Sequence, residues 1–425
     1  MMAAGAMPTR QMVAYGALGF PLAFAALPLY VHVPNLYADS VGLPLALVGA
    51  VLLLTRFADA LIDPLLGQWS DRLGNRRRLI LIALPLLGLG LAALLAPPAD
   101  GGTAWLVLSL SLTFIGFSLA TINYHAWGAE IGETPQDRVG VTAAREMFAL
   151  GGVVVAAALP SLLAKDVATA MQHLGWVFIP VLALGALATF AGAPAAAAPA
   201  RDAPPGLPLS AVFADPRFRR LLVVLAAGGI ASAIPATLVL FFIADVLQLQ
   251  EWQGLFLVIY FVCGGLALPG WVALARRYGK VHTWLASMVL AIASFVWAFL
   301  LGPGDGLAFA LICAASGAAL GAELALPPAL LADLLADGRR KGQAAAGAGA
   351  YFGVWNFVNK FNLALAAGIA LPLVALFGYK VGAGDTASQG LSALAATYAL
   401  LPAAIKVVSL LLLWRWRHHF EGRTS

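Results

Sequence analysis

The stretch that decides the fold is TRFADALIDPLLG, which runs from Thr55 to Gly67. It places three ionisable residues, Arg56, Asp59 and Asp63, inside a much longer apolar run. On a helix, the four-residue spacing puts both carboxylates on one face, one turn apart, with Arg56 on the same face. A charge at bilayer depth costs roughly 2.5 to 3.5 kcal/mol on insertion scales, so it indicates a partner or a function. Because one arginine cannot neutralise two carboxylates, the pattern favours a cation or proton site over a purely structural ion pair.

The composition is that of a polytopic membrane protein. Of the 425 residues, 61% are hydrophobic and 11% are charged. At about 20 residues per crossing plus a short loop, the chain accommodates roughly twelve membrane helices and no large soluble domain. The first apolar run follows one basic residue, Arg10, and has no convincing cleavage site, so we interpret it as the first helix and not as a signal peptide. The predicted helices are 11–37, 43–69, 78–97, 103–128, 141–164, 173–196, 219–244, 252–275, 281–301, 306–331, 343–377 and 390–414.

These helices divide the chain into two halves of six. Residues 1–197 form the N-terminal half, and residues 219–425 form the C-terminal half with a short basic tail. Residues 198–218 are rich in Ala and Pro and then basic, which predicts a flexible cytoplasmic linker. Most of the 25 Lys and Arg residues lie in loops on the N-terminal side of the membrane, so the positive-inside rule predicts that both termini are cytoplasmic. The predicted fold class is therefore an all-α membrane protein with twelve transmembrane helices in two six-helix halves.

Four stretches, spread over nearly the whole chain, form a recognisable set. They are Arg56-x-x-Asp59-Ala60-x-x-Asp63-Pro64-x-x-Gly67 with the turn after Asp71; Ile122 to Glu130 followed by Asp137-Arg138 and Arg145; Leu326-Pro327 to Asp337-Gly338; and Lys360 followed by Phe377-Gly378-Tyr379. In this order they resemble the glycoside–pentoside–hexuronide:cation symporters, the melibiose-permease-like branch of the major facilitator superfamily. The resemblance implies the major facilitator fold, with a solute site near mid-membrane between the two halves.

The resemblance also implies a coupling-cation site. Asp59 and Asp63 would form it between helices 2 and 4, with Arg56 and Lys360 as charge partners. Lys360 is a lone cation in an apolar helix, so it either pairs with a carboxylate or snorkels to a helix end. The hydroxyls of Ser118 and Thr121 are the further oxygen ligands available.

The coupling ion is H⁺ or Na⁺. In sodium-using members an asparagine stands between the two acids, where this chain has Ile62. A proton needs only one carboxylate with a raised proton affinity, which burial and a neighbouring like charge supply. The loss of an amide oxygen therefore favours proton coupling, and sodium stays open.

The solute site departs from the melibiose-type pattern. Those members bind sugar hydroxyls with aspartates in helices 1 and 4, whereas this chain has no acid in helix 1 and Thr121 at about the helix 4 position. The polar and aromatic residues offered instead are Asn123, His125, Trp127, Arg145, Tyr351, Trp355, Asn356 and Asn359. They suit a glycoside or related sugar. The alternative solute is a lysophospholipid or other amphipathic anion, held through Arg145.

Charged residues at the predicted cytoplasmic helix ends predict a gate that breaks when the halves rock. They are Asp71, Arg72, Glu130, Arg138, Asp333 and Asp337. We expect the three acids Glu130, Asp333 and Asp337 to pair with Arg138 and the basic run 339–341. Deeper in the second half, Glu323 is either a second protonatable site or an ordinary hydrogen-bonded acid, and Lys406 most simply snorkels.

The sequence thus predicts secondary active transport, with symport of a cation and a small solute by alternating access. No His-Glu-x-x-His or Gly-x-Ser-x-Gly motif occurs, so we expect no enzyme and no catalytic residues. An uncoupled lipid translocator is a further, weaker alternative. We expect no cofactor apart from the coupling ion, no metal site and no nucleic-acid partner. The expected partners are the solute and membrane lipid, and the resemblance implies a monomer. The Ala-rich, Arg-biased composition suggests a bacterial inner membrane.

Overall fold

The computed structural model describes residues 7–33, 36–37, 41–98, 101–164, 166–195, 208–340, 347–379 and 388–420. Within these ranges the regular structure is helical. The α-helices are α1 (Thr9–Gly16), α2 (Gly19–Val31), α3 (Leu45–Leu73), α4 (Arg76–Leu95), α5 (Gly102–Ile131), α6 (Pro135–Leu163), α7 (Val167–Gly192), α8 (Leu209–Ala214), α9 (Pro216–Phe241), α10 (Gln253–Tyr278), α11 (Lys280–Phe295), α12 (Gly306–Arg340), α13 (Ala348–Leu376) and α14 (Ser388–Phe420). A π-helical turn, Phe242–Val246, continues α9.

Ten of the helices in the described ranges are long and apolar enough to cross a membrane, namely α4 to α7 and α9 to α14. Helix α3 has 29 residues, which is about 43 Å at 1.5 Å per residue, but it carries the three ionisable residues of the opening stretch and is not one of the ten. The prediction of an all-helical, multi-pass architecture is confirmed. The count of twelve and the cytoplasmic termini stay predictions.

The first predicted helix, 11–37, is broken between α1 and α2. At this break the backbone N–H of Leu18 donates to the hydroxyl of Thr189 at 3.0 Å, and that hydroxyl donates to the carbonyl of Ala14 at 2.9 Å. One residue farther on, the phenol of Tyr124 donates to the carbonyl of Tyr15. Side chains from α5 and α7 therefore replace backbone groups as hydrogen-bond partners at the junction of α1 and α2. Such an insertion into the hydrogen bonds of a helix is a recognised cause of a kink.

Helix α6 begins at Pro135, earlier than the predicted residue 141. Thr134 is its N-cap and accepts from the N–H of Asp137 at 3.1 Å, while the Asp137 carboxylate accepts from the N–H of Thr134 at 3.1 Å. This reciprocal capping box, with proline at the first helical position, is a strong start signal. The other Asp137 oxygen accepts from the N–H of Met7 at 3.0 Å, so the same carboxylate also anchors the start of the described chain.

The described residues form two compact units. The first comprises Met1–Val212 and Ala332–Phe357, and its core is built on aromatic rings. Tyr15 stacks on Tyr124 with ring centroids 4.6 Å apart, and Trp127 meets Tyr15 edge-on at 5.8 Å. Tyr15, Tyr124 and Trp127 are fully buried. The kink between α1 and α2 therefore lies against the centre of this core.

The second unit comprises Phe213–Leu331 and Val358–Ser425. Phe242 stacks on Tyr398 at 4.2 Å, and Phe309 packs against Phe242 at 5.6 Å. The π-helical turn at the end of α9 carries Asp245, which accepts a hydrogen bond from the phenol of Tyr379. Aromatic stacking thus fixes the end of α9 against α12 and α14.

The predicted linker, 198–218, is described only in its last part, because residues 198–207 lie outside the described ranges. Residues 209–214 form α8, and Asp215 caps α9 by accepting from the N–H of Arg217 at 2.8 Å. The division of the chain into halves 1–197 and 219–425 stays a prediction.

Candidate cation and solute site

Both acids of the opening stretch are buried in the first unit. Asp59 is 8% exposed and Asp63 is fully buried, whereas Arg56 is exposed. The hydroxyl of Ser118, on α5, donates to Asp59 Oδ1 at 2.7 Å. Helices α3 and α5 therefore bring together an acid pair and a hydroxyl, all of them oxygen ligands of the kind that a hard cation takes.

The face of α5 that carries Ser118 continues with Thr121 and His125. The hydroxyl of Thr121 and Nδ1 of His125 are buried, and neither has a hydrogen-bond partner among the described residues. The His125 ring meets Phe352 edge-on, with centroids 5.6 Å apart. Buried polar atoms are nearly always satisfied, so two such atoms on one helix face indicate a place for a ligand or for water.

Two residues predicted to bind solute belong instead to the interior of the first unit. Asn123 is fully buried; its Oδ1 accepts from the Ser70 hydroxyl at 2.5 Å, and its Nδ2 donates to the Leu119 carbonyl at 2.8 Å. Trp127 donates through Nε1 to the carbonyl of Pro194 at 3.0 Å and stacks on Phe190. Their polar atoms are committed to the fold.

Arg145, on α6, is buried and carries its own counter-charge. It donates through Nε at 2.9 Å and Nη2 at 2.5 Å to Glu146 Oε1. The arginine is 5% exposed. An anionic solute at this position would compete with a carboxylate already bound there.

The remaining predicted solute residues lie on α13. Tyr351, Trp355 and Asn356 are buried in the part of α13 that packs with the first unit. Asn359 is exposed and Lys360 is half-buried, and both belong to the second unit. The pairing of Lys360 with the acids of α3 stays a prediction.

Helix α13 begins in close contact with α3. A Cβ added at Gly353 would lie 2.5 Å from the carbonyl oxygen of Asp63, and one added at Gly349 would lie 2.5 Å from that of Gly67. Small residues at these positions allow the two backbones to cross without a gap. The second acid of the pair therefore sits directly at this crossing.

The predicted gate residues Asp71 and Glu130 meet at Arg76, which falls in the loop between the predicted helices 43–69 and 78–97. Arg76, at the start of α4, donates from Nη2 to Asp71 Oδ1 at 2.5 Å and to Glu130 Oε1 at 3.1 Å. Its Nη1 also donates to the Ser70 hydroxyl at 2.6 Å. Arg72 is exposed. The signal for Arg76 was local: Gly74 and the N-cap Asn75 end one helix and start the next, which turns Arg76 inward.

Asp71 also binds the segment that opens α13. Its Oδ1 accepts from the N–H of Gly349 and its Oδ2 from the N–H of Ala350, both at 2.8 Å. Both N–H groups belong to the first turn of α13, where a carboxylate is stabilised. One side chain thus joins α3, α4 and α13.

A second ion pair joins α6 to the end of α12. Arg138 donates through Nε to Asp333 Oδ1 at 2.6 Å, and through Nη1 to the carbonyls of Gly132 and Glu133 at 2.8 and 3.1 Å. Glu130 therefore pairs with Arg76 and not, as expected, with Arg138. Asp337 is half-buried, and the side chains of the basic run 339–341 lie outside the described residues.

A family model described as "MFS/sugar transport protein" matches residues 12–418. The chain belongs to this family. The family resemblance drawn from the motifs is confirmed, and the family is one of membrane transporters and not of enzymes.

Curated relatives match over shorter stretches. An uncharacterized symporter of Bacillus subtilis, YnaJ, is 34% identical over 151 residues, covering 33% of this chain and 32% of that protein. An uncharacterized symporter of Synechocystis, sll1374, is 29% identical over 192 residues, covering 41% of this chain and 35% of that protein. The matches thus span about a third of the length of these relatives.

Solved structures share the fold. A bacterial homologue of the iron transporter ferroportin in an outward-facing state superposes with a TM-score of 0.73 at 15% identity, covering 97% of this chain and all of that one. The E. coli fucose:proton symporter superposes with a TM-score of 0.68 at 14% identity, covering 96% of this chain and 97% of the other. At such identities the likeness establishes the fold alone.

Proposed function

We propose that the protein is a cation-coupled symporter that carries a small polar solute, a glycoside or related sugar, by alternating access. The observation that carries this proposal is the buried acid pair: Asp59 and Asp63 one turn apart on α3, with Ser118 donating to Asp59 at 2.7 Å. Two carboxylates at this depth are costly when both are ionised, so a bound cation makes the occluded state easier to reach. Solute and cation are then coupled because both favour the same conformation.

The proposed coupling ion is H⁺, with Na⁺ as the alternative. Ile62 supplies no ligand between the acids, and a proton needs a single carboxylate. Sodium has four oxygen-bearing side chains available, Asp59, Asp63, Ser118 and Thr121, and the Thr121 hydroxyl has no partner among the described residues. Measuring solute uptake at varied pH and at varied sodium concentration distinguishes the two ions.

The solute site rests on the polar face of α5. His125 and Thr121 present buried polar atoms that no described residue satisfies, and hydroxyl groups of a sugar supply both donors and acceptors. The ring of Phe352 lies beside His125 as an apolar surface. A lysophospholipid or other amphipathic anion has less support, because Glu146 already neutralises Arg145.

The ion pairs at the ends of α3, α4, α6 and α12 serve as the gate in this proposal. Arg138–Asp333 and the bonds from Asp71 to the start of α13 join segment 332–357 to the N-terminal helices. Rocking of the two six-helix halves, 1–197 and 219–425, would break these bonds once per cycle. The proposed setting is a monomer with twelve helices and cytoplasmic termini in a bacterial inner membrane.

The test is reconstitution of the purified protein in liposomes, with proton and sodium movements recorded on addition of glycosides, hexuronides and lysophospholipids. We expect a sugar to drive cation movement and to accumulate against its gradient. Asp59→Asn and Asp63→Asn should each abolish accumulation.

Asp166→Asn is the matched control. It removes a carboxylate at an exposed N-cap, where asparagine also caps, so accumulation should be unchanged. Accumulation of the sugar that persists in both α3 variants would refute the proposed coupling site. A signal from lysophospholipids only would replace the solute class.

A further inference from the structure

The second unit contains a buried ion pair of its own. Lys406, on α14, places Nζ 2.7 Å from each carboxylate oxygen of Glu323, on α12. The two side chains are 9% and 16% exposed. The expectation that Lys406 snorkels is wrong, because α14 continues to Phe420, about 21 Å farther on at 1.5 Å per residue, and the ammonium turns inward.

This pair lies near the middle of two long apolar helices, where charges are rare. Glu323 is at the midpoint of α12, about 25 Å from either end of that helix at 1.5 Å per residue. All the helices that meet here, α9, α12 and α14, are among those apolar enough to cross a membrane. An ionisable residue in such a position indicates a function by default, and its partner is part of that function.

The ammonium of Lys406 is surrounded by oxygen atoms. Besides the two carboxylate oxygens of Glu323, it donates to the hydroxyl of Ser232 at 2.9 Å and approaches the carbonyl of Gly228 at 3.4 Å. The Ser232 hydroxyl in turn lies 3.2 Å from Glu323 Oε2, to which it donates. A carboxylate, a hydroxyl and a backbone carbonyl are the ligands that hard cations take in proteins.

We propose that Glu323, Ser232 and the carbonyl of Gly228 form a second monovalent-cation site, whose cation is the ammonium of the chain's own Lys406. The tethered ammonium holds one positive charge at the acid in every state of the protein. No free ion is then needed in the second unit. The consequence for coupling rests on the proposed function: of the two acidic sites among the described residues, the acid pair of α3 draws a cation from solution and Glu323 does not. The cation site of the second unit does not depend on it.

Among the described neighbours of Glu323, the charge that balances its carboxylate comes from Lys406. From α14 it faces Lys406, from α9 the hydroxyl of Ser232, and from α10 the phenol of Tyr260, with which it interacts electrostatically. A tyrosine is neutral below pH of about 10. Removal of the ammonium would therefore leave one carboxylate that a sodium ion or a proton can neutralise.

The experiment compares three proteins in detergent: wild type, Lys406→Met, and the double variant Lys406→Met with Glu323→Gln. Methionine keeps the length of the lysine stem and removes its charge. The measured quantity is the midpoint of thermal unfolding, first with sodium chloride replacing choline chloride at constant ionic strength, and then over a series of pH values.

We expect the midpoint of Lys406→Met to rise by several degrees with sodium or with acid, beyond the response of the wild type, because a ligand that binds only the folded state stabilises it. The double variant has no carboxylate to neutralise and should respond as the wild type does. Recovery of folded Lys406→Met only in sodium or only at acidic pH would support the proposal equally.

A response of Lys406→Met equal to that of the double variant would overturn the proposal and leave the pair as packing. Failure of Lys406→Met to fold in either cation, while the double variant folds, would do the same. These outcomes are independent of uptake. A wild-type protein without cation-coupled transport would remove the proposed function and leave this stability comparison intact.

Discussion

Replacing Asp71 by alanine removes the side chain that joins α3, α4 and α13. Its carboxylate accepts from Arg76 at 2.5 Å and from the N–H groups of Gly349 and Ala350 at 2.8 Å each, with 3% of the side chain exposed. Breaking a buried ion pair by removing one partner costs about 3 to 5 kcal/mol. Glu130 still compensates Arg76, so the cost lies at the lower end. We expect Asp71→Ala to reduce the free energy of unfolding by about 3 kcal/mol.

The matched control removes the other acid of the same cluster. Glu130 contacts Arg76 at 3.1 Å, is 13% exposed and binds no backbone N–H among the hydrogen bonds described. In Glu130→Ala the arginine keeps its shorter bond to Asp71. The expected loss is smaller, about 1.5 kcal/mol, the lower end for a hydrogen bond to a charged group, because Arg76 stays paired with Asp71.

The assay is denaturant unfolding in detergent micelles, followed by tryptophan fluorescence, with the denaturant slope compared between variants. A larger loss for Asp71→Ala than for Glu130→Ala at equal slope is the expected result. Equal losses, or the reverse order, would refute the reasoning, because they would show that the bonds to the start of α13 contribute nothing.

Three further predictions concern single contacts. Ser118→Ala should weaken the apparent sodium affinity in uptake assays by roughly tenfold, because it removes one of the four oxygen-bearing side chains proposed to bind that ion; an unchanged sodium affinity would exclude the hydroxyl from a sodium site. Gly349→Ala should lower the free energy of unfolding by more than about 1 kcal/mol, because the added Cβ would lie 2.5 Å from a carbonyl oxygen of α3. Gly338→Ala is the control, since its added Cβ meets nothing within 4 Å, and should not lower it. Burial, with a hydrogen bond to Asp245, raises the pKa of Tyr379. The neutral phenol therefore contributes to stability below pH of about 10, and this contribution is lost as pH rises further. Tyr379→Phe should reduce the loss of stability at alkaline pH that unfolding curves measure.

The sequence predicted the helices because every span needs its own long apolar run, whatever it packs against. What it missed depends on contacts distant in the chain. The break between α1 and α2 is made by hydroxyls of Thr189 and Tyr124, which lie far from Leu18 in the chain. The local Gly16, Gly19 and Pro21 permit a kink but do not specify these partners. The early start of α6 was readable, since Thr134-Pro135-Gln136-Asp137 is a capping box.

The burial of a candidate residue was predictable where the cost of a charge decides it, and its hydrogen-bond partners were not predictable where packing decides them. Asp59 and Asp63 were identified because an acid at membrane depth is rare, and the structure buries both. Asn123 and Trp127 looked like solute ligands because polar and aromatic residues in a membrane helix are ambiguous. Their partners, Ser70 and the carbonyl of Pro194, lie far away in sequence, so only the folded arrangement shows that they are committed.

Arg76 illustrates the same limit for ion pairs. Counting charges in loops placed it among basic residues that set orientation, and the count treated all of them alike. The helix cap at Asn75 selects which of the neighbouring arginines turns inward, and the acids then collect around that one. Charge pairing in this protein follows helix boundaries more than sequence proximity.

The bonds from Asp71 to Gly349 and Ala350 have a consequence for biosynthesis. The bond to Gly349 joins residues 278 positions apart. At translation rates of about 5 to 20 residues per second, the carboxylate of Asp71 and its arginine wait roughly 15 to 55 s before their last partners leave the ribosome. During that interval the N-terminal helices are already in the membrane with an unfinished polar cluster. A truncated chain ending before residue 332 would keep that defect permanently, and should be a preferred substrate for membrane quality-control proteases.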